Sequence, residues 1–138
     1  MTSNNQKTAL RILVTGGAGY IGSHTCIELL KAGSKVVVVD NLSNSRSDSL
    51  SRVEVLTGMD IQFHLADLCN ADAMDRLFRQ EKIDAVVHFA GLKAVGESTE
   101  IPLMYYQNNI GGTANLLEAM NKHGVKDRLV TAPESWWI

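Results

Sequence analysis

Three glycines follow a short apolar segment, and their spacing predicts a site for phosphate groups. In TGGAGYIGSH, Gly16, Gly19 and Gly22 form the pattern G-x-x-G-x-x-G between a strand-like and a helix-like segment. Gly16 permits a tight turn, Gly19 lets the backbone approach a pyrophosphate, and Gly22 lets helix and strand pack closely. The helix that begins here would offer N–H groups and a positive dipole end to the phosphates. The pattern predicts dinucleotide binding, and a plain strand-to-helix turn is the alternative.

An aspartate at the end of the second predicted strand indicates which dinucleotide is bound. Asp40 closes SKVVVVD, at about the distance from the glycines at which an acidic residue contacts the adenosine ribose. Its carboxylate would accept hydrogen bonds from both ribose hydroxyls and repel a 2′-phosphate, which predicts NAD rather than NADP. A turn or a cap is the alternative role of this aspartate, and Arg46 leaves NADP binding open.

Two further candidate positions follow later predicted strands. Asp67 follows the third strand and is a candidate for holding the adenine. The segment FAGLK, from Phe89 to Lys93, follows the fourth strand, where Ala90 and Gly91 would leave room for backbone contact with the cofactor. Ligands of open parallel sheets bind at the carboxyl ends of the strands. Taken singly, each position is equally consistent with turn chemistry.

These residues need a sheet to position them, and the sequence alternates strand and helix patterns. Short connections between such elements imply a parallel sheet with helices on both faces. We therefore predict an α/β fold, a Rossmann-like doubly wound sheet of about five strands in the order 3-2-1-4-5. The predicted strands lie in RILVTGG, SKVVVVD, DIQFHLADL, IDAVVHFAG and DRLVTA, and the helices in residues 20–33, in a short segment before Gly58, in 70–82 and in 102–123.

Helical spacing also predicts which side chains enter the core. We expect Gly33 and Gly124 to end the first and last helices. The expected buried residues are Ile21, Thr25, Cys26, Leu29 and Leu30 in the first helix, Met74, Leu77 and Phe78 in the third, and Ile110, Ala114 and Leu117 in the last.

Composition excludes several classes of protein. The chain has 138 residues, of which 45% are hydrophobic and 20% charged, as in an ordinary globular domain. A net charge of −2 gives no reason to expect nucleic acid as a partner, and no apolar run approaches the length of a membrane span. Cys26 and Cys69 form no C-x-x-C motif and predict reduced thiols of a cytoplasmic protein. The four histidines share no spacing typical of metal ligands, so we expect no metal site.

Several motifs together resemble a known enzyme family. The segments TGGAGYIGSH, DNLSNS, HFAGLKAVGES, YYxNN and GTxxLLEAM are similar to those of the UDP-glucose 4-epimerases, NAD-dependent members of the extended short-chain dehydrogenase/reductase family. The resemblance covers about Arg11 to Asp127. It implies a resident NAD that takes a hydride from C4 of a UDP-hexose and returns it to the other face of the keto-sugar. It also implies a homodimer for the full-length protein.

The resemblance implies a larger set of cofactor contacts than the glycine pattern predicts. The positions that match the family's contacts are Tyr20, Ile21, Asp40, Asn41, Leu42, Ser43, Asn44, Ser45, Asp67, Leu68, Phe89, Ala90, Gly91, Leu92, Lys93 and Asn108.

The family's catalytic pair has no counterpart in this sequence. Its base is the tyrosine of Y-x-x-x-K, yet Tyr20, Tyr105 and Tyr106 are followed four residues later by histidine, asparagine and isoleucine. The family's S-S-S-A would align its third serine with Pro133. We therefore predict no catalytic residue, and expect a polar extension at 1–10, an NAD-binding domain at 11–132 and a divergent tail at 133–138.

Two functional hypotheses follow from this comparison. In the first, the chain is the front part of an enzyme, either a UDP-hexose 4-epimerase or another short-chain dehydrogenase/reductase acting on nucleotide sugars. In the second, it is a non-catalytic NAD-binding fragment.

Overall fold

A computed structural model shows strands and helices alternating along the chain. The structure describes residues 9–41, 48–89, 102–125 and 129–131, with the backbone alone at Tyr20, 102–110 and Thr131. The strands are β1 (Arg11–Thr15), β2 (Lys35–Asp40), β3 (Gln62–Leu65), β4 (Ala85–His88) and β5 (Leu129–Thr131). The helices are α1 (Tyr20–Lys31), α2 (Asp48–Thr57), α3 (Ala71–Glu81) and α4 (Pro102–Lys122).

The five strands form one parallel sheet in the order β3-β2-β1-β4-β5. This confirms the predicted α/β class and the predicted strand order. In the register of the sheet, Thr15 at the end of β1 lies between Val39 of β2 and His88 of β4. Because all strands run in the same direction, the glycine turn, Asp40 and Phe89 all follow strand ends at the same edge, here called the carboxyl edge.

Two apolar layers cover the two faces of this sheet. The run of valines in β2 is buried on both faces, as predicted, with Val36 to Val39 no more than 2% exposed. One layer packs α3 and α4 against residues such as Leu13 and Val37, and it buries the predicted Met74, Leu77 and Phe78. The other packs α1 and α2 against Ile12 and Val38, and it buries the predicted Cys26 and Leu30. The fold thus supplies a rigid support for the carboxyl edge.

The buried face of α4 differs from the prediction. Ala114 is exposed and Leu117 is 46% exposed, whereas Leu116, Ala119 and Met120 are buried. The helix packs closely against Leu68 at Gly112, where an added Cβ would lie 3.0 Å from Cβ of Leu68. A pattern of apolar residues does not include glycine. The absence of a side chain at Gly112 nevertheless determines which face of α4 packs against Leu68. The side chain of Ile110 lies outside the described part.

The ends of the helices follow the sequence signals. Gly33 after α1 has φ +93° and Gly124 after α4 has φ +77°, a backbone conformation that glycine adopts at little cost. Asn70 caps α3 by accepting a hydrogen bond from the N–H of Ala73 (3.1 Å). Within the described ranges, no helix is both long enough and apolar enough to cross a membrane.

Candidate functional site

The glycine turn joins β1 to α1 in a conformation that its sequence requires. Gly16 has φ +72°, so the tight turn predicted for this glycine is confirmed. Its N–H donates to the carbonyl of Val39 (2.9 Å), and its own carbonyl accepts from the N–H of Gly19 (3.1 Å). The turn is therefore anchored to the end of β2 and closed on itself before α1 begins.

The amino end of α1 has features that favour an anion. Gly19 is the capping residue, with extended backbone, and its carbonyl accepts from the N–H of Ser23 (2.8 Å). In the part of the chain that the structure describes, no side chain caps this helix, and its first turn carries no acidic residue. The N–H groups of a first helical turn point outward with the positive end of the helix dipole. This helix end has the composition of a phosphate site.

Two other glycines allow the turn to lie close to its surroundings. A Cβ on Gly22 would lie 2.2 Å from the carbonyl oxygen of Gly16, so the close approach expected at Gly22 is present, against the turn itself. A Cβ on Gly17 would lie 2.8 Å from both terminal methyl groups of Val38. Gly17 was not among the predicted residues, although the adjacent pair Gly-Gly is a signal for it. Together these glycines seat the turn against the sheet.

Side chains from two elements hold the middle of the turn. The N–H of Ala18 donates to Oδ2 of Asp40 (3.1 Å), and the carbonyl of Ala18 accepts from Oγ of Ser49 (2.7 Å). Ala18 itself is only 3% exposed. Asp40 thus lies beside the glycine turn at the end of β2, where a ribose contact was predicted, and it also binds the turn. Ser49, in the first turn of α2, is a residue that the sequence patterns did not single out.

Asp67 shows the turn chemistry that was left open for it. Its Oδ1 accepts from the N–H of Cys69 (2.9 Å), and its carbonyl accepts from the N–H of Asn70 (2.9 Å). The residue is exposed and lies in an open depression of about 560 Å³ lined by Asp67, Cys69, Asn70, Ala71 and Asp72. The carboxylate therefore shapes the loop that leads into α3 at the carboxyl edge.

The ends of β1 and β4 are joined by a hydrogen-bonded chain through a histidine. Nδ1 of His88 lies 2.6 Å from Oγ1 of Thr15, and Nε2 lies 3.0 Å from Oγ1 of Thr113 in α4. Oγ1 of Thr15 also accepts from the N–H of Phe89 (3.0 Å). Burial lowers the pKa of His88 below its ordinary value of 6.5, which favours the neutral ring. His88 opens the motif HFAGLKAVGES, but no spacing predicts its hydrogen bonds, because both of its partners are distant in the chain.

The remaining predicted contacts divide by position. The side chains of Ile21, Leu68 and Phe89 pack in or against the two core layers, and Asn41 is exposed just after β2. The side chains of Tyr20 and Asn108 lie outside the described part, although both residues are helical. Eight predicted contacts lie wholly outside the described residues, namely Leu42, Ser43, Asn44, Ser45, Ala90, Gly91, Leu92 and Lys93.

The other reactive side chains are engaged elsewhere in the fold. Burial raises the pKa of the Cys26 thiol to about 12, and Cys26 and Cys69 are not joined in a disulfide. His64 pairs with Glu81 (2.7 Å) and His123 with Asp75 (2.8 Å). Among the described side chains, no group of three His, Cys, Asp or Glu residues is placed to hold a metal ion.

Sequence comparison identifies relatives for most of the chain. The model of the NAD dependent epimerase/dehydratase family matches residues 12–133. The UDP-glucose 4-epimerase of Bacillus subtilis is 61% identical over 117 residues, covering 85% of this chain and 34% of that protein. The bifunctional protein GAL10 of Kluyveromyces lactis is 64% identical over 114 residues, covering 83% of this chain and 17% of that protein. The chain spans a third or less of the length of these relatives.

Solved structures show the same fold at high identity. The UDP-glucose 4-epimerase of Bifidobacterium longum, in complex with NAD+ and UDP, is 48% identical with a TM-score of 0.86. The enzyme of Stenotrophomonas maltophila, with bound NAD and formylated UDP-arabinopyranose, is 48% identical with a TM-score of 0.85. In each comparison 88% of this chain matches 36% of the other. The described fold is therefore the fold of one part of these larger chains.

Proposed function

We propose that this chain, which belongs to the NAD dependent epimerase/dehydratase family, binds NAD as the cofactor-binding part of a UDP-hexose 4-epimerase. Residues 11–132 form that part. The observation that carries the proposal is the geometry of the glycine turn, where Gly22 allows α1 to touch the backbone of Gly16 beside a helix end without a side-chain cap in the described structure. A pyrophosphate fits this helix end because the N–H groups and the dipole of α1 favour negative charge there.

Different residues would hold different parts of the cofactor. The turn from Gly16 to Gly22 would bind the pyrophosphate through backbone N–H groups. Asp40 would accept hydrogen bonds from the adenosine ribose, which favours NAD over NADP. Asp67 and Leu68 would lie on the adenine side. The further proposed contacts are Tyr20, Ile21, Asn41, Leu42, Ser43, Asn44, Ser45, Phe89, Ala90, Gly91, Leu92, Lys93 and Asn108.

The hydrogen bonds within the site prepare it for this role. Asp40 binds the backbone N–H of Ala18 and Ser49 binds its carbonyl. The turn is therefore already ordered, and binding a ligand does not have to include the entropic cost of ordering it. The chemistry supplied by bound NAD would be the reversible storage of one hydride from C4 of the sugar. The protein's own task here is to hold the dinucleotide and to exclude its 2′-phosphorylated form.

The whole enzyme would act on a UDP-hexose, and we propose interconversion of UDP-galactose and UDP-glucose as its reaction. The relatives solved with UDP or a UDP-sugar support this substrate class. We further propose a cytoplasmic location and a homodimeric full-length protein, with no nucleic acid partner. No tyrosine of these 138 residues is followed four residues later by lysine. The second candidate function, NAD binding without turnover, rests on that observation.

Cofactor preference tests the assignment of Asp40. Calorimetry of the 138-residue chain should show tighter binding of NAD than of NADP. In Asp40→Asn an acceptor oxygen for the Ala18 N–H is kept while the charge is lost, so the preference should fall by about 10- to 100-fold. Asp60→Asn, at an exposed position before β3, is the matched control and should leave the preference unchanged. Equal affinity of the unmutated chain for both cofactors would contradict the assignment.

An activity assay separates the two candidate functions. The chain is incubated with NAD and UDP-galactose, and formation of UDP-glucose is followed. We expect none above a blank without protein, because general acid–base catalysis contributes about 10²- to 10⁴-fold and no base is assigned here. Turnover by the chain alone would show that it carries its own base.

A further inference from the structure

His88 connects two strands that immediately precede proposed cofactor contacts with a helix that carries one. It is the last residue of β4, and its ring nitrogens lie 2.6 Å from Oγ1 of Thr15 in β1 and 3.0 Å from Oγ1 of Thr113 in α4. None of these three residues is among the proposed contacts. The residue after Thr15 is Gly16, and the residue after His88 is Phe89. The chain of hydrogen bonds is therefore adjacent in sequence to two of the contact segments.

The protons of this chain can be arranged so that each ring nitrogen and each hydroxyl has a partner. Oγ1 of Thr15 already accepts from the N–H of Phe89 (3.0 Å), and Thr15 is fully buried. A neutral imidazole has one donor and one acceptor nitrogen. We assign the acceptor to Nδ1, which receives the Thr15 hydroxyl proton, and the donor to Nε2, whose N–H donates to Thr113. The orientation of the Thr15 hydroxyl is then fixed by His88.

The Thr15 hydroxyl also contacts the backbone immediately after β4. The N–H of Phe89 is shared between the carbonyl of Thr15 (2.9 Å) and its Oγ1 (3.0 Å). Phe89 immediately precedes the proposed contacts Ala90 to Lys93. At the other end of the chain, Thr113 lies five residues after the proposed contact Asn108 on the same helix. Phe89 at the end of β4 and Thr113 in α4 are therefore linked through the same histidine.

We propose that Thr15, His88 and Thr113 are positioning residues for the dinucleotide, which hold Phe89 at the end of β4 and helix α4 in one relative placement. This inference rests on the proposed NAD binding. A merely structural role would predict that removing one hydrogen bond lowers stability and leaves NAD affinity in the folded chain unchanged. A positioning role predicts a loss of affinity and a local loosening at Phe89.

Substitutions of Thr113 distinguish these roles, because Thr113 is not among the proposed cofactor contacts. Thr113→Val keeps the shape of the side chain and removes the hydroxyl that pairs with His88. NAD affinity, measured by calorimetry, should fall about three- to tenfold, the effect of one ordinary hydrogen bond. In the chain without cofactor, amide hydrogen exchange at Phe89 should be faster by a similar factor. Thr113→Ser keeps the hydroxyl and should restore both values to within about twofold.

The matched control is Thr57→Val at the end of α2. Oγ1 of Thr57 donates to the carbonyl of Val53 (2.8 Å) and accepts from the N–H of Met59 (3.2 Å), so its loss also removes hydrogen bonds. This variant should be less stable while its NAD affinity and its Phe89 exchange stay unchanged. Should Thr113→Val behave like Thr57→Val, the positioning role is overturned. If the unmutated chain binds no NAD, the proposed function fails instead, and the exchange rate at Phe89 still tests the link through His88.

Discussion

A Cβ atom on Gly22 would lie 2.2 Å from the carbonyl oxygen of Gly16. This distance is shorter than any contact between nonbonded heavy atoms, and the obstacle is backbone rather than a side chain that can rotate. The first helix therefore rests directly on the turn that precedes it. The relationship explains why glycine is required at position 22, and it ties the position of α1 to that of the proposed phosphate site.

Replacing this glycine should displace the helix from the turn. Gly22→Ala should lower the free energy of unfolding by about 1–3 kcal/mol or more, the usual cost of overpacking, and should abolish measurable NAD binding. Gly111→Ala is the matched control, because an added Cβ there would lie 3.9 Å from Sγ of Cys69 and meet nothing closer. As a glycine-to-alanine change within a helix, it should be neutral or stabilising by up to about 1 kcal/mol. Urea unfolding and calorimetry measure the two effects.

Gly112 extends this comparison to the contact between α4 and the core. Gly112→Ala would place a Cβ 3.0 Å from Cβ of Leu68, a tight contact that a small shift of the helix relieves. Its stability should therefore fall between those of the other two variants. A series in which Gly22→Ala is as stable as Gly111→Ala would contradict the described packing of the turn.

The hydrogen bond from Ser49 to Ala18 should contribute to the order of the turn. Ser49→Ala removes a 2.7 Å contact to the Ala18 carbonyl, and we expect NAD affinity to fall about three- to tenfold. Ser51→Ala, at an exposed position of the same helix, should leave affinity unchanged. Equal affinities of the two variants in calorimetry would show that α2 does not support the turn.

Acid should weaken the packing of α3 against α4 through Asp75. A hydrogen bond from His123, with further contributions from Lys122 and Arg79, lowers the pKa of Asp75 below its ordinary value of 3.8. The unfolded chain therefore binds more protons than the folded chain in the window below 3.8, and stability must fall as the pH falls through it. Asp75→Asn should be less stable than the unmutated chain at neutral pH, and the two should converge as the pH falls through this window.

Urea unfolding as a function of pH measures this convergence. The exposed Asp60 provides a control, since Asp60→Asn should follow the unmutated chain across the whole series. A difference between Asp75→Asn and the unmutated chain that stays constant down to about pH 2 would exclude the lowered pKa as its origin.

The two cysteines should differ in reactivity. Cys26 is fully buried with a pKa of about 12, so a disulfide reagent should not modify it in the folded chain. Cys69 is exposed, and burial together with Asp67 raises its pKa only to a lesser extent, so it should react slowly. We expect one modified thiol per folded chain, two in denaturant, and none in folded Cys69→Ser. Rapid modification of both thiols without denaturant would contradict the burial of Cys26.

The sequence predicts the sheet well because its signals are local. The run of valines in β2, the glycines that end α1 and α4, and the alternation of strand and helix each require only neighbouring residues. Right-handed crossovers limit the strand order to a few doubly wound arrangements, and the most economical of these is the one observed. Local signals also predict the roles of Gly16 and Gly22. A tight turn between a strand and a helix leaves its backbone few allowed conformations, and glycine adopts them most readily.

The sequence does not predict contacts between side chains that are distant in the chain. Ser49 reaches Ala18 and His88 reaches Thr113 only after the sheet has formed, and no periodicity relates their positions. The buried face of α4 is mispredicted for a related reason. Gly112 lets the helix pack close to Leu68 but adds no apolar side chain to the pattern. The roles of Asp40 and Asp67 as cofactor contacts remain proposals. The structure shows Asp40 binding the N–H of Ala18 in the glycine turn and Asp67 binding the N–H of Cys69 in its own loop.

The central position of β1 has a consequence for the order in which the chain can fold. Of the five described strands β1 is synthesised first, yet it lies in the middle of the sheet, and β2 and β3 add to it on one side. The opposite side of β1 stays unpaired until Asp84, 73 residues after Arg11, has been synthesised. Closing so long a loop is slow compared with the local pairing of β1 with β2. The nascent chain therefore exposes a bare apolar strand edge during synthesis, a point at which a chaperone would be most useful.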